Sequence, residues 1–402
     1  MGVDREGPVI IAGAGPVGAT LALYLARHGI RVVLLEKEAT LPEDLRASTF
    51  HPPSLDMLDR LGLSRYLVER GLVFPKFQYH DRPTGQVATF DLSAIADVTA
   101  HPYRLQCEQW HLGQACCAEL AALPNAEVRF SHQVTGVSQG ASGVEVTVES
   151  PSAGPRTIRG AYVVGCDGAS SAVRRGGTFE FPGFTYPEQF LVISTSYPLE
   201  TLLPNLCGVD YFADPQEWCT LIRCAGLWRV AFPTKPEDRD EDLLSDEHVQ
   251  SRFQRLAPKA GDYDVHHRTL YRVHQRVASS YRHGRILIAG DAAHINNPLG
   301  GMGMNGGIHD AFNLGEKLVA MHEGAADDSA LDVYDRQRRI TAQAFVQDQS
   351  IRTKKLLEEK DPQAQRRRQA EFMRIAADPA AARAFMLRLS MIDVVRDSYA
   401  LN

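Results

Sequence analysis

No stretch of this chain stays apolar long enough to cross a bilayer. The longest buried-type runs, Ile30 to Leu35 (interrupted by Arg31) and Arg285 to Gly290, are strand-length, far short of the roughly 20 residues a helical span needs. No C-x-x-C pair occurs. The seven cysteines (Cys107, Cys116, Cys117, Cys166, Cys207, Cys219, Cys224) are an odd number, which argues against a disulfide frame or zinc site and suits reduced, buried thiols; no metal is expected. Charge of one sign is also scarce. A net charge of −6 over 402 residues leaves no electrostatic footprint for nucleic acid or anionic lipid, so small-molecule partners are expected and no nucleic acid or membrane. Repeats and low-complexity tracts are missing, and 32 glycines and 22 prolines are ordinary usage, which removes collagen-like and solenoid architectures. The start, MGVDREGPVI, is charged and runs straight into a strand, with Glu6 where a myristoylation motif wants Ser or Thr. A signal peptide is therefore not expected, and the expected location is cytoplasmic.

What is there is a chain with 44% hydrophobic and 23% charged residues, long enough for two packed units. Pro8 to Ala12 is a short apolar run, followed by Gly13-Ala14-Gly15-Pro16-Val17-Gly18, a helical pattern from Ala19 to His28 and a second strand from Arg31 to Glu36. The apolar spacing of Leu55, Leu58, Leu61 and Leu63 predicts a helix over Pro52 to Glu69. A Pro- and Gly-punctuated stretch from Phe74 to Pro102 reads as a strand-containing excursion, and helix returns from Glu108 to Leu123. Strands follow at Glu127 to Phe130, Gln133 to Ser138, Gly143 to Glu149 and Ala161 to Gly165. Aromatic residues then concentrate between about Gly177 and Thr269, on alternating runs such as Glu217 to Arg223 and Leu227 to Phe232, which predicts an inserted antiparallel sheet. Another buried-type strand, Arg285 to Gly290, leads through a glycine-rich loop to a helix over Asn305 to Met321, and the remainder is helical and charged.

The spacing Gly13-x-Gly15-x-x-Gly18 places glycine where a tight turn, a phosphate and a closely packed helix leave no room for a Cβ, and aims a helix N-terminus at a pyrophosphate. Glu36, at the end of the next strand, is placed to accept hydrogen bonds from ribose hydroxyls. A second formal match, Gly301-x-Gly303-x-x-Gly306, lies eleven residues beyond Gly290. It lacks the strand-to-turn geometry of a dinucleotide fingerprint and reads instead as a loop of backbone N–H groups opening the Asn305 helix, suited to negative charge on a cofactor ring.

Three separated motifs carry a resemblance. They are the glycine fingerprint with Glu36, the run Cys166-Asp167-Gly168-Ala169-Ser170-Ser171-Ala172-Val173-Arg174, and Gly284-Arg285-Ile286-Leu287-Ile288-Ala289-Gly290-Asp291-Ala292-Ala293-His294, continuing through Pro298 to Leu314. Together they resemble the class A single-component FAD-dependent aromatic hydroxylases, the p-hydroxybenzoate and phenol hydroxylase group, over about residues 8 to 175 and 284 to 345. The resemblance implies an α/β fold: a Rossmann-like FAD-binding domain with an inserted antiparallel-sheet substrate domain and a C-terminal helical segment. The division expected is 1–73, 102–176 and 270–345 for FAD, 74–101 and 177–269 for substrate, and 346–402 for the helices.

By the same resemblance, FAD is held by Gly13, Ala14, Gly15, Pro16, Val17, Gly18, Glu36, Lys37, Arg46, Gln106, Val134, Asp167 and Asp291, with Gly301, Met302, Gly303, Met304 and Asn305 against the flavin ring. For Asp167 a helix-capping role stands level with the cofactor role, and for Val134 so does a place in the core. Met302 and Met304 stand where the family often has Gln and Leu, which changes side chains but spares backbone contacts. Pro298 is implied as the residue whose carbonyl faces the substrate. The reaction implied uses NADH or NADPH and O2, with a flavin C4a-hydroperoxide transferring OH to a phenolic or hydroxylated N-heteroaromatic ring. Such chemistry wants a dry site and an acceptor near the substrate hydroxyl. His51, Tyr211 and Tyr186 are candidates for that acceptor, and His51 is the one taken forward. Tyr211, Trp218 and Trp228 are candidates for the aromatic pocket, although alternation leaves open which strand face lines it and which packs a core. Monomer and homodimer both remain open. A halogenase or reductase of the same fold would carry a W-x-W-x-I-P signature or a disulfide pair, both missing here, and a non-catalytic FAD-fold binding protein would not need Asp291 or the Gly300 to Asn305 loop.

Overall fold

The computed structural model describes residues 7–43, 48–151 and 153–401. At its centre lies a six-stranded sheet in the order Arg282–His283, Ile286–Ile288, Tyr162–Gly165, Val9–Ala12, Val32–Leu35, Ala126–Arg129. All neighbours run parallel except the first pair. Val9, Ile10, Ile11 and Ala12 are all buried, as a strand covered on both faces requires, which is why it reads as an unbroken apolar run. Helix Pro16–Arg27 packs on helices Trp110–Leu120 and Met302–His322. The antiparallel meander Gln133–Gly140, Gly143–Ser150, Ala153–Gly160 inserts Val144, Val146 and Val148 into the same core.

A second sheet of eight strands runs His294–Ile295, Val265–Val277, Gly183–Thr195, Leu227–Pro233, Cys219–Cys224, Val209–Ala213, Lys76–Asp81, Gly85–Asp91. Its one parallel pair is Val209–Ala213 beside Lys76–Asp81. Side chains alternate between two apolar faces. One face holds Phe77, Tyr79, Phe190, Tyr211 and Trp218, and packs with Leu299 and Met302 of the glycine-rich segment and with Phe372, Met386 and Met391 of the C-terminal helices. The other holds Phe212, Leu221, Trp228, Val230 and Phe232 under Val249 and Phe253 of helix Asp246–Leu256. A small sheet, Thr49–Phe50, Arg104–Gln106 and Leu72–Phe74, links the two halves.

Two predicted helices differ from the structure. The segment read as one helix over Pro52 to Glu69 is two, Pro52–Asp59 and Ser64–Val68, because Gly62 adopts φ +64° and closes the first helix in the left-handed region that glycine tolerates. The helix expected to begin at Asn305 begins at Met302, after Gly301 at φ +66°. Among the described residues no helix is long and apolar enough to cross a membrane, and no group of three His, Cys, Asp or Glu side chains is placed to hold a metal ion.

Candidate active site

The glycine turn follows the carboxyl end of Val9–Ala12, where open α/β sheets place their ligands. Gly13 has φ +98°, and a Cβ there would lie 2.4 Å from the Cys166 carbonyl oxygen; a Cβ on Gly18 would lie 2.0 Å from the Gly13 carbonyl oxygen. The protein's own backbone forbids side chains at both positions. Gly15 is different, since nothing lies within 4 Å of a Cβ built there. No protein neighbour demands glycine at that point, and the open space at the amino end of Pro16–Arg27 suits a phosphate. Pro16 occupies the first helical turn, where a missing N–H costs nothing, and Val17 packs against Gly290 and Gly307. Glu36 is buried, and its carboxylate accepts from Ala14 N at 2.8 Å and Glu38 N at 3.1 Å, which fixes it at the strand end. Lys37 beside it is exposed, with its ammonium 3.4 Å from Glu38.

A short turn, Gly290–Ala292, follows Ile286–Ile288 and leaves Asp291 exposed. Beneath it sits a fully buried charged network centred on Asp310. Its carboxylate accepts from Gly290 N at 3.0 Å, His294 Nε2 at 2.8 Å and Arg338 Nε at 2.7 Å, while Arg338 Nη2 donates to the Gly306 carbonyl at 3.2 Å. Burial alone would raise the Asp310 carboxyl, but His294 and Arg338 overcome it and hold it at about 2. The network ties the Asp291 turn to the helix that starts at Met302.

That helix points its first N–H groups, those of Met302, Gly303 and Met304, out of its amino end with no intrahelical acceptor. The Pro298 carbonyl accepts from Gly301 N at 3.0 Å, closing the turn in front of them, and Pro298 itself is exposed. Met302 and Met304 are buried, so their side chains pack the core while their backbone faces the loop. The Asn305 side chain is fully engaged within the protein. Its Oδ1 accepts from His51 N at 2.8 Å, and its Nδ2 donates to the carbonyls of Thr49 at 2.8 Å and Gly301 at 2.6 Å. Of the contacts expected from Asn305, only the backbone remains for a cofactor.

Gln106 and Arg104 project from the same face of strand Arg104–Gln106. Gln106 Oε1 accepts from Ser48 Oγ at 3.2 Å and Thr49 Oγ1 at 2.9 Å, whereas its buried Nε2 has no partner. His51 is completely buried, with Nε2 2.8 Å from the Gly300 carbonyl. A carbonyl accepts only, so that nitrogen carries the proton and Nδ1, which has no partner, is an acceptor. Burial first and the Arg104 charge second lower His51 to about 3, against the opposing pull of the Gly300 bond. Overhead, Tyr211 and Trp218 lie on the sheet face shared with Leu299 and Met302.

Other expectations fall elsewhere. Trp228 is on the opposite face, under helix Asp246–Leu256, with Nε1 donating to Glu200 at 2.6 Å; strand alternation turns it away from the loop. Asp167 caps helix Ala172–Gly176, accepting from Ala172 N at 2.7 Å, Val173 N at 3.2 Å and Ser171 Oγ at 2.5 Å, so its side chain is committed to the turn. Val134 is buried in the meander opposite Val148. Arg46 lies outside the described residues. Sequence reasoning missed Arg104 and the His294–Asp310–Arg338 network. His294 and Asp310 stood inside the third motif, and the signal at Arg104 and Arg338 was a charged residue next to or near apolar ones, Leu105 and Ile340.

The orphaned Gln106 Nε2, the free N–H groups of Met302 to Met304 and the open space at Gly15 fit FAD. Comparison with known proteins agrees. Residues 6–349 match the family model for an FAD binding domain. The chain is 34% identical over 394 residues to para-nitrophenol 4-monooxygenase of Pseudomonas sp. (strain WBC-3), covering 96% of each chain. It is 35% identical over 333 residues to 6-hydroxy-3-succinoylpyridine 3-monooxygenase HspB of Pseudomonas putida (strain DSM 28022 / S16), covering 82% of this chain and 84% of that one. The crystal structure of p-nitrophenol 4-monooxygenase PnpA from Pseudomonas putida DLL-E4 superposes with a TM-score of 0.91 at 32% identity, covering 97% of this chain and 98% of that one. With fold, site and relatives in agreement, the chain belongs to the FAD-binding-domain family and is a class A flavin-dependent aromatic monooxygenase.

Proposed function

We propose that this monooxygenase hydroxylates a phenolic or hydroxylated N-heteroaromatic substrate at the expense of NAD(P)H and O2. The observation that carries the reading is the meeting of the Met302–His322 helix terminus with Gln106 Nε2 and His51 Nδ1, neither of which has a partner among the described residues, beneath the aromatic sheet face of Tyr211 and Trp218. The chemistry that FAD supplies when bound is acceptance of reducing equivalents and activation of dioxygen.

The chain's residues would divide the remaining work. Gly13, Ala14, Gly15, Pro16, Val17 and Gly18 would cradle the pyrophosphate and Glu36 would hold the ribose. Asp291 would meet the ribityl chain, and Gln106 with the N–H groups of Met302 to Met304 would hold the ring. Those N–H groups and the helix dipole favour negative charge on the pyrimidine edge. His51 would accept a hydrogen bond from the substrate hydroxyl and orient it, and Pro298 would stiffen the loop at the reacting edge. Tyr211 and Trp218 would exclude water and stack the ring. The same division would give residues 1–73, 102–176 and 270–345 to the cofactor, 74–101 and 177–269 to the substrate, and 346–402 to the supporting helices.

Purified protein should be yellow. It should consume NADH or NADPH slowly until a phenol, hydroxypyridine or quinolone is supplied, and the product should gain one oxygen by mass. Colourless protein that neither binds flavin nor oxidises NAD(P)H with any of these compounds would overturn the assignment.

A further inference from the structure

The helix that begins at Ala330 does not stay α-helical. Between helix Ala330–Thr341 and helix Asp348–Leu357 the chain makes a π-helical turn, Ala342–Gln347, without leaving the right-handed backbone region at either junction. Such turns are rare, and the extra residue they hold rotates everything after them by about 100° from where an unbroken α-helix would put it. The run AQAFVQ contains neither glycine nor proline, so the cause lies in what the flanks are fastened to. Ahead of the turn, Tyr334 Oη donates to the Ile288 carbonyl at 2.7 Å and Arg338 Nε to Asp310 at 2.7 Å, both in the parallel-sheet half. Within it, Phe345 and Val346 join the aromatic face of Tyr211 and Trp218. Beyond it, Lys354 Nζ lies 2.6 Å from Glu188 on strand Gly183–Thr195.

What the turn presents is Gln347. Its Nε2 donates to the carbonyls of Ile295 at 3.0 Å and Arg276 at 3.3 Å, residues paired across two strands, and its Oε1 accepts from Gln275 Nε2 at 2.8 Å. Gln275 is 1% exposed and its amide is fully engaged. Its Nε2 also donates to Ser350 Oγ at 3.1 Å, and its Oε1 accepts from the backbone N–H of Asn297. Asn297, itself buried, passes the constraint on, because its Oδ1 accepts from Leu299 N at 3.1 Å. Asn297 and Leu299 flank Pro298. Gln275 therefore ties the eight-stranded sheet to the back of the loop whose front is closed by Gly301 N on the Pro298 carbonyl.

We propose that Gln347, set by the π-turn and acting through Gln275, is a positioning residue for the Pro298 loop, and fixes where the aromatic ring meets the oxygen to be transferred. This rests on the monooxygenase reading, in which Pro298 lies at the reacting edge, and adds to it a residue of the C-terminal segment. A loosely set loop still lets NAD(P)H be oxidised, but the electrons miss the ring. NAD(P)H, a proton and O2 then give NAD(P)+ and hydrogen peroxide, in place of NAD(P)+, water and the hydroxylated product.

The test begins on the apoprotein. Gln347→Leu keeps the bulk of the side chain and removes its polar contacts, so the Asn297 and Leu299 amides should exchange hydrogen roughly tenfold faster than in wild type, the worth of about one hydrogen bond. Strand Val9–Ala12 should stay as protected as before. Flavin-loaded protein is then given whichever of 4-nitrophenol, 3-hydroxypyridine and 4-quinolone the wild type hydroxylates. Gln347→Leu should keep the KM for NAD(P)H while the ratio of hydrogen peroxide to product rises about tenfold. Lys354→Met, which breaks an ion pair on the same helical run, should lower the melting temperature and leave exchange at the loop and that ratio at wild-type values. Should Gln347→Leu fail to fold, Ser350→Ala, which removes one of the two acceptors of Gln275 Nε2, should show the same changes at smaller amplitude. Unaltered loop exchange in the folded variant overturns the proposal, as does wild-type coupling despite faster exchange, or equal uncoupling by Lys354→Met. Wild-type protein that takes up no flavin and hydroxylates none of the three compounds overturns the functional reading instead, and the exchange result, which needs no cofactor, still decides whether Gln347 holds the loop.

Discussion

Gly13 and Gly15 are two residues apart in one motif, yet they are glycine for different reasons. Gly13 answers to the protein, since its φ of +98° and the Cys166 carbonyl leave no room for a methyl group. Gly15 has no protein neighbour that demands glycine and, under the proposed function, answers to the ligand. Gly13→Ala should therefore lower the apoprotein's melting temperature, while Gly15→Ala should melt like wild type and lose about tenfold or more in FAD affinity, checked by thermal unfolding and by flavin fluorescence titration. Equal effects of the two on the apoprotein would refute the distinction. His51 permits a second prediction at this scale. Its folded value of about 3 lies below the ordinary histidine value of about 6.5, so the unfolded chain binds the extra proton between those limits. Stability is then lost as pH falls below about 6.5, by about 1.4 kcal/mol per unit for this residue, and His309, lowered by burial and by Arg338, adds in the same direction. His51→Gln, which can still donate to Gly300, should flatten the loss between pH 7 and 5 by about 2 kcal/mol in urea unfolding. An unchanged slope would mean that His51 takes up its proton in the folded protein.

At the scale of elements, the helix Met302–His322 does two jobs. Its amino end supplies free N–H groups, and about two turns further on Asp310 reaches back to Gly290. A rigid helix is thereby fastened to the turn bearing Asp291, so both parts of the expected flavin cradle move together. Removing the Asp310 charge leaves Arg338 buried and without its partner, a change that typically costs about 3–5 kcal/mol. Asp310→Asn should show a loss of that order in urea unfolding together with weakened flavin retention on gel filtration; loss of neither would show that the network is dispensable. The glycine-rich run after Pro298 was legible as a loop leading to a helix. The start at Met302 was not, because it depends on Gly301 adopting the left-handed region, and glycine permits that conformation without requiring it. Gly62 is the same case, and the helix break there was signalled only by an isolated glycine in an otherwise helical pattern.

At the scale of the molecule, the C-terminal helices complete the site's outer wall. Met386 is fully buried in a cluster with Tyr79, Trp218 and Leu299, so a residue 87 positions beyond Leu299 braces the aromatic face above the loop. Met386→Ala should cost about 2–5 kcal/mol in chemical denaturation while leaving flavin content at wild-type level, because the residues proposed to hold phosphate and ribose lie in the other core. A drop in flavin content without loss of stability would contradict this separation of cores.

The sequence by itself determined the chain's parallel-sheet core and the place of its glycine turn. Those features rest on short-range facts: a continuous apolar run for a strand buried on both faces, glycine where a backbone closes tightly, and a carboxylate at the next strand end. It also carried the order of the three motifs, and hence the family. Only the tertiary structure decided which tryptophan faces the loop, that Asp167 and Asn305 spend their side chains inside the protein, and that Arg104 is buried with no counter-ion among the described residues. Each of these depends on what lies across space from a residue. Alternation along a strand names two faces but not their neighbours, and a hydrogen-bonding side chain shows whether it is committed or free only when every partner around it is in place.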